Sequence, residues 1–212
     1  ILLKPASSVD AATDRATFNN LDGFGQFIIG VDHPGIKIDP TVFLEGPFDS
    51  THMNPYLNPD VLPLAQPFNT SPWNYQGAEA VASIPNPDIV DWVLIELRDT
   101  TNAGLASGST RVGRTAAFLL RDGSVRELNG ESLVKFNIIP QDSLYLIVWH
   151  RNHLGVMSAF GLIENAGVYS HNFTIAENMA YDGADGHKEI APGIWGMISG
   201  DGNSDGEINN GD

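Results

Sequence analysis

The feature that most constrains this sequence is a series of short apolar segments separated by turn residues, running from about residue 90 to about residue 175. In Val90–Arg98, apolar side chains at Val93, Ile95 and Leu97 share one face of an extended strand. The Asp-Gly pair at 122–123 is typical of a β-hairpin turn. Seven or more such segments, with turns roughly every ten residues and no alternating helices, predict an all-β fold. The expected architecture is an antiparallel β-sandwich, Ig-like or prealbumin-like.

A long proline-rich segment, residues 48–89, interrupts this pattern. Proline lacks the backbone N–H that a central strand must donate, so the segment is expected to be a loop. A loop of this length is usually functional or forms an ordered surface layer. Trp73 and Tyr75 lie within it and form a possible ligand platform, since aromatic faces stack on sugar rings. The alternative interpretation is that both rings pack into the core.

Composition divides the chain into three parts. Residues 1–34 form an irregular lead-in, in which residues 10–18 suggest one short helix and residues 27–29 a strand. Residues 35–176 form the sandwich domain, and the Asp39-Pro40 pair is expected to break its first strand. Residues 177–212 form an acidic tail rich in Gly and Asp.

The charge of the chain limits its partners. The sequence holds 26 acidic and 11 basic residues, which gives a net charge of −15. A surface of this sign repels nucleic acid and anionic membranes, whereas cations are natural partners. No apolar run reaches the roughly 18 to 20 residues that a membrane span requires. We therefore expect neither nucleic-acid binding nor membrane insertion.

The last twelve residues contain the strongest motif of the chain. An EF-hand-type calcium loop places oxygen ligands at positions 1, 3, 5, 7, 9 and 12, with glycine at position 6. Position 6 is Gly206, position 8 is the usual apolar residue, Ile208, and position 12 holds Asp where Glu is more common. The predicted Ca²⁺ ligands are Asp201, Asn203, Asp205, Glu207 (through its backbone carbonyl), Asn209 and Asp212. The alternative is an acidic linker that binds nothing.

Two resemblances accompany these motifs. The loop at 201–212 resembles the dockerin-type and thrombospondin type 3-like calcium repeats of secreted bacterial proteins. The segments Val90–Arg98, Ala117–Gly123 and His150–Leu154 resemble a module of large bacterial surface proteins exported by the type IX secretion route. These resemblances imply an extracellular or cell-surface location and a parent chain that continues beyond this segment. They imply no particular activity.

Possible catalytic or transition-metal residues are few. His150 and His153, with His171 or His187, suggest a metal site, and the alternative is a hydrogen-bonded, half-buried pair at a strand end. The carboxylates of Glu45, Asp49 and Glu96 suggest glycoside chemistry, and the alternative is solvated surface groups. The sequence contains no nucleophile elbow, zinc-protease motif or phosphate-binding glycine loop, so we do not expect an enzyme.

The sequence therefore predicts a non-catalytic extracellular module for adhesion or carbohydrate binding, with a calcium-binding tail. The alternative is a structural subunit that assembles into an extracellular filament or layer. The expected partners are glycans in the first case and copies of the chain itself in the second.

Overall fold

The computed structural model describes residues 8–10, 15–17, 35–203 and 207–209. The chain forms two compact units, Ile1–Pro34 and Gly35–Asp212. In the first unit, β1 (Ser8–Asp10) pairs antiparallel with β2 (Arg15–Thr17). The short helix expected over residues 10–18 is therefore wrong, because strand pairing overrides the weak helical propensity of this segment. The strand expected at 27–29 lies outside the described residues.

The second unit is all-β and contains a five-stranded and a four-stranded sheet. Its strands are β3 (Ile36–Thr41), β4 (Ile89–Thr100), β5 (Arg111–Leu120), β6 (Val125–Arg126), β7 (Val134–Phe136), β8 (Ser143–His150), β9 (His153–Met157), β10 (Ile163–Asn165), β11 (Val168–Asn172), β12 (Lys188–Ala191) and β13 (Ile194–Gly196). The five-stranded sheet has the order β6-β5-β4-β8-β9 and is antiparallel throughout. The four-stranded sheet has the order β10-β11-β3-β7, and β11 and β3 are its parallel pair. Strands β12 and β13 form a separate hairpin, and four short 3-10 turns cover Ala103–Leu105, Gly108–Thr110, Glu177–Met179 and Gly183–Asp185.

The main hydrophobic core contains side chains from both of these sheets. Val93, Ile95 and Leu97 of β4 all lie in it, as the alternation in the sequence predicted. Ile38 of β3 and Val134 of β7 come from the four-stranded sheet. The all-β, sandwich-like fold class is thus confirmed.

The proline-rich segment forms an ordered layer over the opposite face of the five-stranded sheet. Leu62 and Phe68 are buried there against Trp92 and Phe118. The Trp92 indole N–H donates to the Pro63 carbonyl at 2.7 Å. Both faces of β4 are therefore buried, and this layer closes a second hydrophobic core.

Pro40 lies inside β3 and does not end it, which corrects the expected break. The Lys37 N–H donates to Gly167 O on the β11 side, so the N–H of residue 40 would point to the β7 side. Pairing with β7 stops at Ile38. Proline is tolerated where the missing N–H faces no ladder partner.

The expected boundary at residue 177 does not correspond to a break in the structure. Met197 is fully buried in the main core. Its N–H donates to Phe43 O at 2.8 Å, and its carbonyl accepts from the Glu45 N–H at 3.1 Å. The polypeptide up to about residue 200 is therefore part of the sandwich.

Candidate functional site

The start of the predicted calcium loop is held to the sandwich by backbone hydrogen bonds. The Leu154 N–H donates to Ile198 O at 2.9 Å, and the Gly200 N–H donates to Asn152 O at 3.1 Å. The turn between β8 and β9 therefore fixes the chain immediately before Asp201. Gly200 has φ of +118°, a conformation that side chains rarely adopt.

The structure describes four of the six predicted ligands. Asp201 is buried, with 3% of its surface exposed, whereas Asn203, Glu207 and Asn209 are exposed. The other two, Asp205 and Asp212, lie outside the described residues. The apolar residue at position 8, Ile208, lies against the backbone before the loop: a Cβ on Gly200 would come 3.2 Å from its Cγ2.

The donors in this loop fit calcium chemically. Carboxylate, side-chain amide and backbone carbonyl oxygens are the hard ligands that Ca²⁺ prefers. Within the described residues, no group of three or more His, Cys, Asp or Glu side chains is placed to hold a metal ion. Of the ligand carboxylates of the predicted loop, only Asp201 belongs to that part of the chain.

Glu45 connects the loop-proximal chain to the sandwich. Its carboxylate accepts hydrogen bonds from the Ser199 N–H at 3.0 Å and the Ser199 hydroxyl at 2.9 Å. It also forms an ion pair with Lys188. Burial raises the pKa of this carboxyl most strongly, but the bonds from Lys188 and Ser199 together outweigh burial, and the pKa lies below its ordinary value.

A buried polar chain lies in the same β8–β9 turn. Arg151 binds both oxygens of Asp91, at 2.6 and 2.8 Å, and His150 Nε2 lies 3.2 Å from the same carboxylate. His150 Nδ1 lies 2.9 Å from His153 Nδ1, and His153 Nε2 accepts from the Gly46 N–H at 3.3 Å. Asp91, His150 and His153 are each no more than 6% exposed.

These contacts assign the protons of both imidazoles. Because the Gly46 N–H occupies Nε2 of His153, the proton of that ring is on Nδ1 and is donated to His150. His150 therefore carries its proton on Nε2 and donates it to Asp91. Two neutral rings satisfy every contact in the chain, as buried polar groups require.

The pKa values agree with this assignment. Burial is the largest cause that lowers the pKa of His153 from 6.5 to about 3, and the adjacent His150 ring adds to it. Burial is also the largest influence on Asp91 and raises its pKa, but His150 and Arg151 together outweigh it and the pKa is lowered. His153 is thus neutral and hydrogen-bonded to His150, and the pair is more fully buried than the half-buried pair considered from the sequence.

The other two histidines weighed as metal ligands bind backbone carbonyls instead. His171 Nε2 lies 2.9 Å from Met179 O. His187 Nδ1 lies 3.0 Å from Gly183 O, and its Nε2 lies 3.3 Å from Ala176 O. These rings hold the segment that contains the 3-10 turns at residues 177–179 and 183–185.

The three carboxylates weighed for glycoside chemistry have separate partners. Glu96 is buried between Arg98 at 2.8 Å and Arg111 at 3.8 Å, and Glu45 binds Lys188 and Ser199. Asp49 accepts from the backbone N–H groups of residues 51 and 52 in a surface turn. Each carboxylate is thus used in a local structural contact.

Trp73 and Tyr75 are half-buried against the second hydrophobic core. The Trp73 ring packs edge-on against Phe68, with centroids 5.0 Å apart. The Tyr75 hydroxyl donates to Glu79, and the Arg114 guanidinium lies 5.4 Å from the centre of the Tyr75 ring. Burial, with the Glu79 hydrogen bond, raises the pKa of Tyr75. Both rings therefore have packing partners within the chain.

The sequence interpretation did not identify Asp91, Arg151 and Ser199 as parts of one polar region. One signal was available: Asp91 is a charged residue inside the apolar run Val90–Leu97. Its partner Arg151 is 60 positions away, so only the fold brings the pair together.

Comparison of the chain with protein-family models, curated proteins and solved structures found no match. In the part of the chain that the structure describes, no helix has the length and apolarity needed to cross a membrane.

Proposed function

We propose that this chain is a non-catalytic, extracellular or cell-surface module for adhesion or carbohydrate binding, with Ca²⁺ bound in its terminal loop. The observation that carries the proposal is the spacing of oxygen ligands over residues 201–212. The attachment of Gly200 to the β8–β9 turn supports it, because a loop whose first ligand is held by the fold has less freedom to lose on binding calcium. The resemblances to secreted bacterial modules support the location.

The test is a calcium titration of thermal stability. A ligand that binds only the folded state at 100 times its Kd adds about 2.7 kcal/mol. For a chain of this size, that free energy raises Tm by roughly 5 to 11 °C. Asp205→Ala abolishes the rise, whereas Asp60→Ala, which removes an exposed carboxylate from the proline-rich layer, keeps it. A wild-type Tm that is unchanged by millimolar calcium, together with no heat of binding in calcium calorimetry, refutes the calcium part of the proposal.

A second candidate function, self-assembly into an extracellular filament or layer, is favoured by large apolar side chains that the proline-rich layer leaves exposed. Tyr56 is 84% exposed, Val61 68% and Leu64 47%. Large exposed apolar patches are typical of interaction surfaces. Light scattering and negative-stain microscopy, with calcium and with chelator, distinguish the functions: filaments that disappear in Tyr56→Ser support assembly, and a monomer in both conditions supports the adhesion module.

A further inference from the structure

A cleft of about 500 Å³ opens beside the 3-10 turns at residues 177–179 and 183–185, and neither Trp73 nor Tyr75 lines it. Two extended segments form its base, because the Ala159 N–H donates to Met179 O at 3.1 Å and the Tyr181 N–H donates to Met157 O at 2.8 Å. The small side chains of Ala159, Ala176 and Ala180 line it. The cleft is open to solvent.

Two exposed aromatic rings also line this cleft. Phe160 is 55% exposed and Tyr181 37% exposed. Aromatic side chains of a sandwich normally contribute to its core, as Trp92 and Phe118 do here. Exposed aromatic side chains on the wall of a cleft are instead typical of a binding surface, where their rings stack on a flat apolar face of a ligand.

Three polar side chains complete the lining: Glu177, Asn178 and Asp182. All three are exposed, and none forms a side-chain hydrogen bond or ion pair in the described part of the chain. Together they offer two carboxylate acceptors and one amide, which both donates and accepts. The cleft thus combines apolar faces with adjacent hydrogen-bonding groups.

The walls of the cleft are held from the interior. The fully buried ring of His187 contacts both Ala176 O and Gly183 O, and His171 contacts Met179 O. Asp182 has φ of +64°, and the fold keeps it in this left-handed conformation. A site whose backbone is fixed in this way loses little conformational entropy when it binds a ligand.

We propose that this cleft binds a neutral oligosaccharide. A sugar ring has an apolar C–H face that stacks on Phe160 and Tyr181, and a rim of hydroxyl groups that both donate and accept hydrogen bonds. The carboxylates of Glu177 and Asp182 accept from hydroxyl groups but repel uronic acids and sulfated sugars, as does the net charge of −15. The inference rests on the proposed adhesion function and names its site and ligand class.

The test is calorimetric titration with three soluble neutral probes, cellohexaose, chitohexaose and laminarihexaose, and with hexagalacturonate as the acidic counterpart. We expect at least one neutral probe to bind and hexagalacturonate to bind at least tenfold more weakly. Phe160→Ala weakens neutral binding about tenfold, the effect expected for loss of one stacked ring. Ile163→Ala is the matched control, because it removes an apolar side chain that is 76% exposed and lies outside the cleft lining, and it leaves affinity unchanged.

Three results overturn the inference: none of the neutral probes binds, hexagalacturonate binds equally well, or Phe160→Ala binds as wild type does. Thermal denaturation confirms that Phe160→Ala is folded, and Asn178→Ala provides a second variant with an expected loss of affinity. The calcium titration is read separately. Calcium-dependent stability without sugar binding refutes this site alone, whereas sugar binding without a calcium response refutes the calcium loop alone.

Discussion

The buried histidine pair makes the stability of the sandwich depend on pH in a way that one residue can test. His153 is 6% exposed, and its pKa falls from 6.5 to about 3 because of burial and the adjacent His150 ring. A second proton on Nε2 would meet the Gly46 N–H, which already donates to that atom. Glu45 and Asp91 also face the ring and favour its protonation, but burial and His150 outweigh them.

The sign follows from proton binding in the two states. Between pH 6.5 and about 3, the unfolded chain binds a proton at this ring and the folded chain does not. Stability is therefore complete above pH 6.5 and falls as the pH decreases toward 3. At about pH 4.5, with roughly 1.36 kcal/mol for each pH unit below 6.5, the loss is about 3 kcal/mol. At that pH Asp91 stays ionised, because its pKa is lowered.

The assay is urea unfolding at pH 7 and at pH 4.5 for wild type, His153→Gln and His52→Gln. Glutamine does not titrate, so His153→Gln is expected to lose about 3 kcal/mol less than wild type between the two pH values. His52 is exposed in a surface turn, so removing it controls for loss of one histidine. Equal losses in wild type and His153→Gln would refute the lowered pKa of His153.

Two further substitutions test the packing. Phe68→Ala removes a fully buried ring from the core beneath the proline-rich layer, so we expect the free energy of unfolding in urea titrations to fall by about 3 to 5 kcal/mol. Tyr56→Ala removes an exposed ring and is expected to change that free energy by less than about 0.5 kcal/mol. Similar effects of the two substitutions would mean that the layer is not an ordered part of the core. Gly123 has a φ of +85°, and a Cβ added there would lie only 2.9 Å from Val42 O, so Gly123→Ala is expected to lower Tm by several degrees. A Cβ added at Gly108 would meet no atom within 4 Å, so Gly108→Ala is expected to leave Tm unchanged. Equal Tm values for the two glycine variants would contradict the requirement for glycine at position 123 of the hairpin turn.

The strands between residues 89 and 172 were predictable because alternation and turn residues are local signals. The segment that covers Trp92 was not, since this depends on Pro63 and Phe68 folding back over the sheet. Pro40 misled the interpretation because the rule against proline in strands holds only where a ladder partner needs its N–H. In each case the missing information was the identity of a neighbour that is distant in sequence.

The same distinction separates the calcium loop from its attachment. Ligand spacing is a local property, so the loop was recognisable over twelve residues, whereas its attachment joins Ser199 to Glu45 across 154 positions.

This attachment determines how a calcium measurement is interpreted. A loop tethered only by a flexible linker would bind calcium without changing the Tm of the sandwich. Here Ser199 and Gly200 are hydrogen-bonded to Glu45 and Asn152, so calcium bound at Asp201 would stabilise the loop and the edge of the fold together. A Tm rise therefore reports both binding and attachment. Binding that calorimetry detects without a Tm rise would place calcium on a loop that is uncoupled from the sandwich.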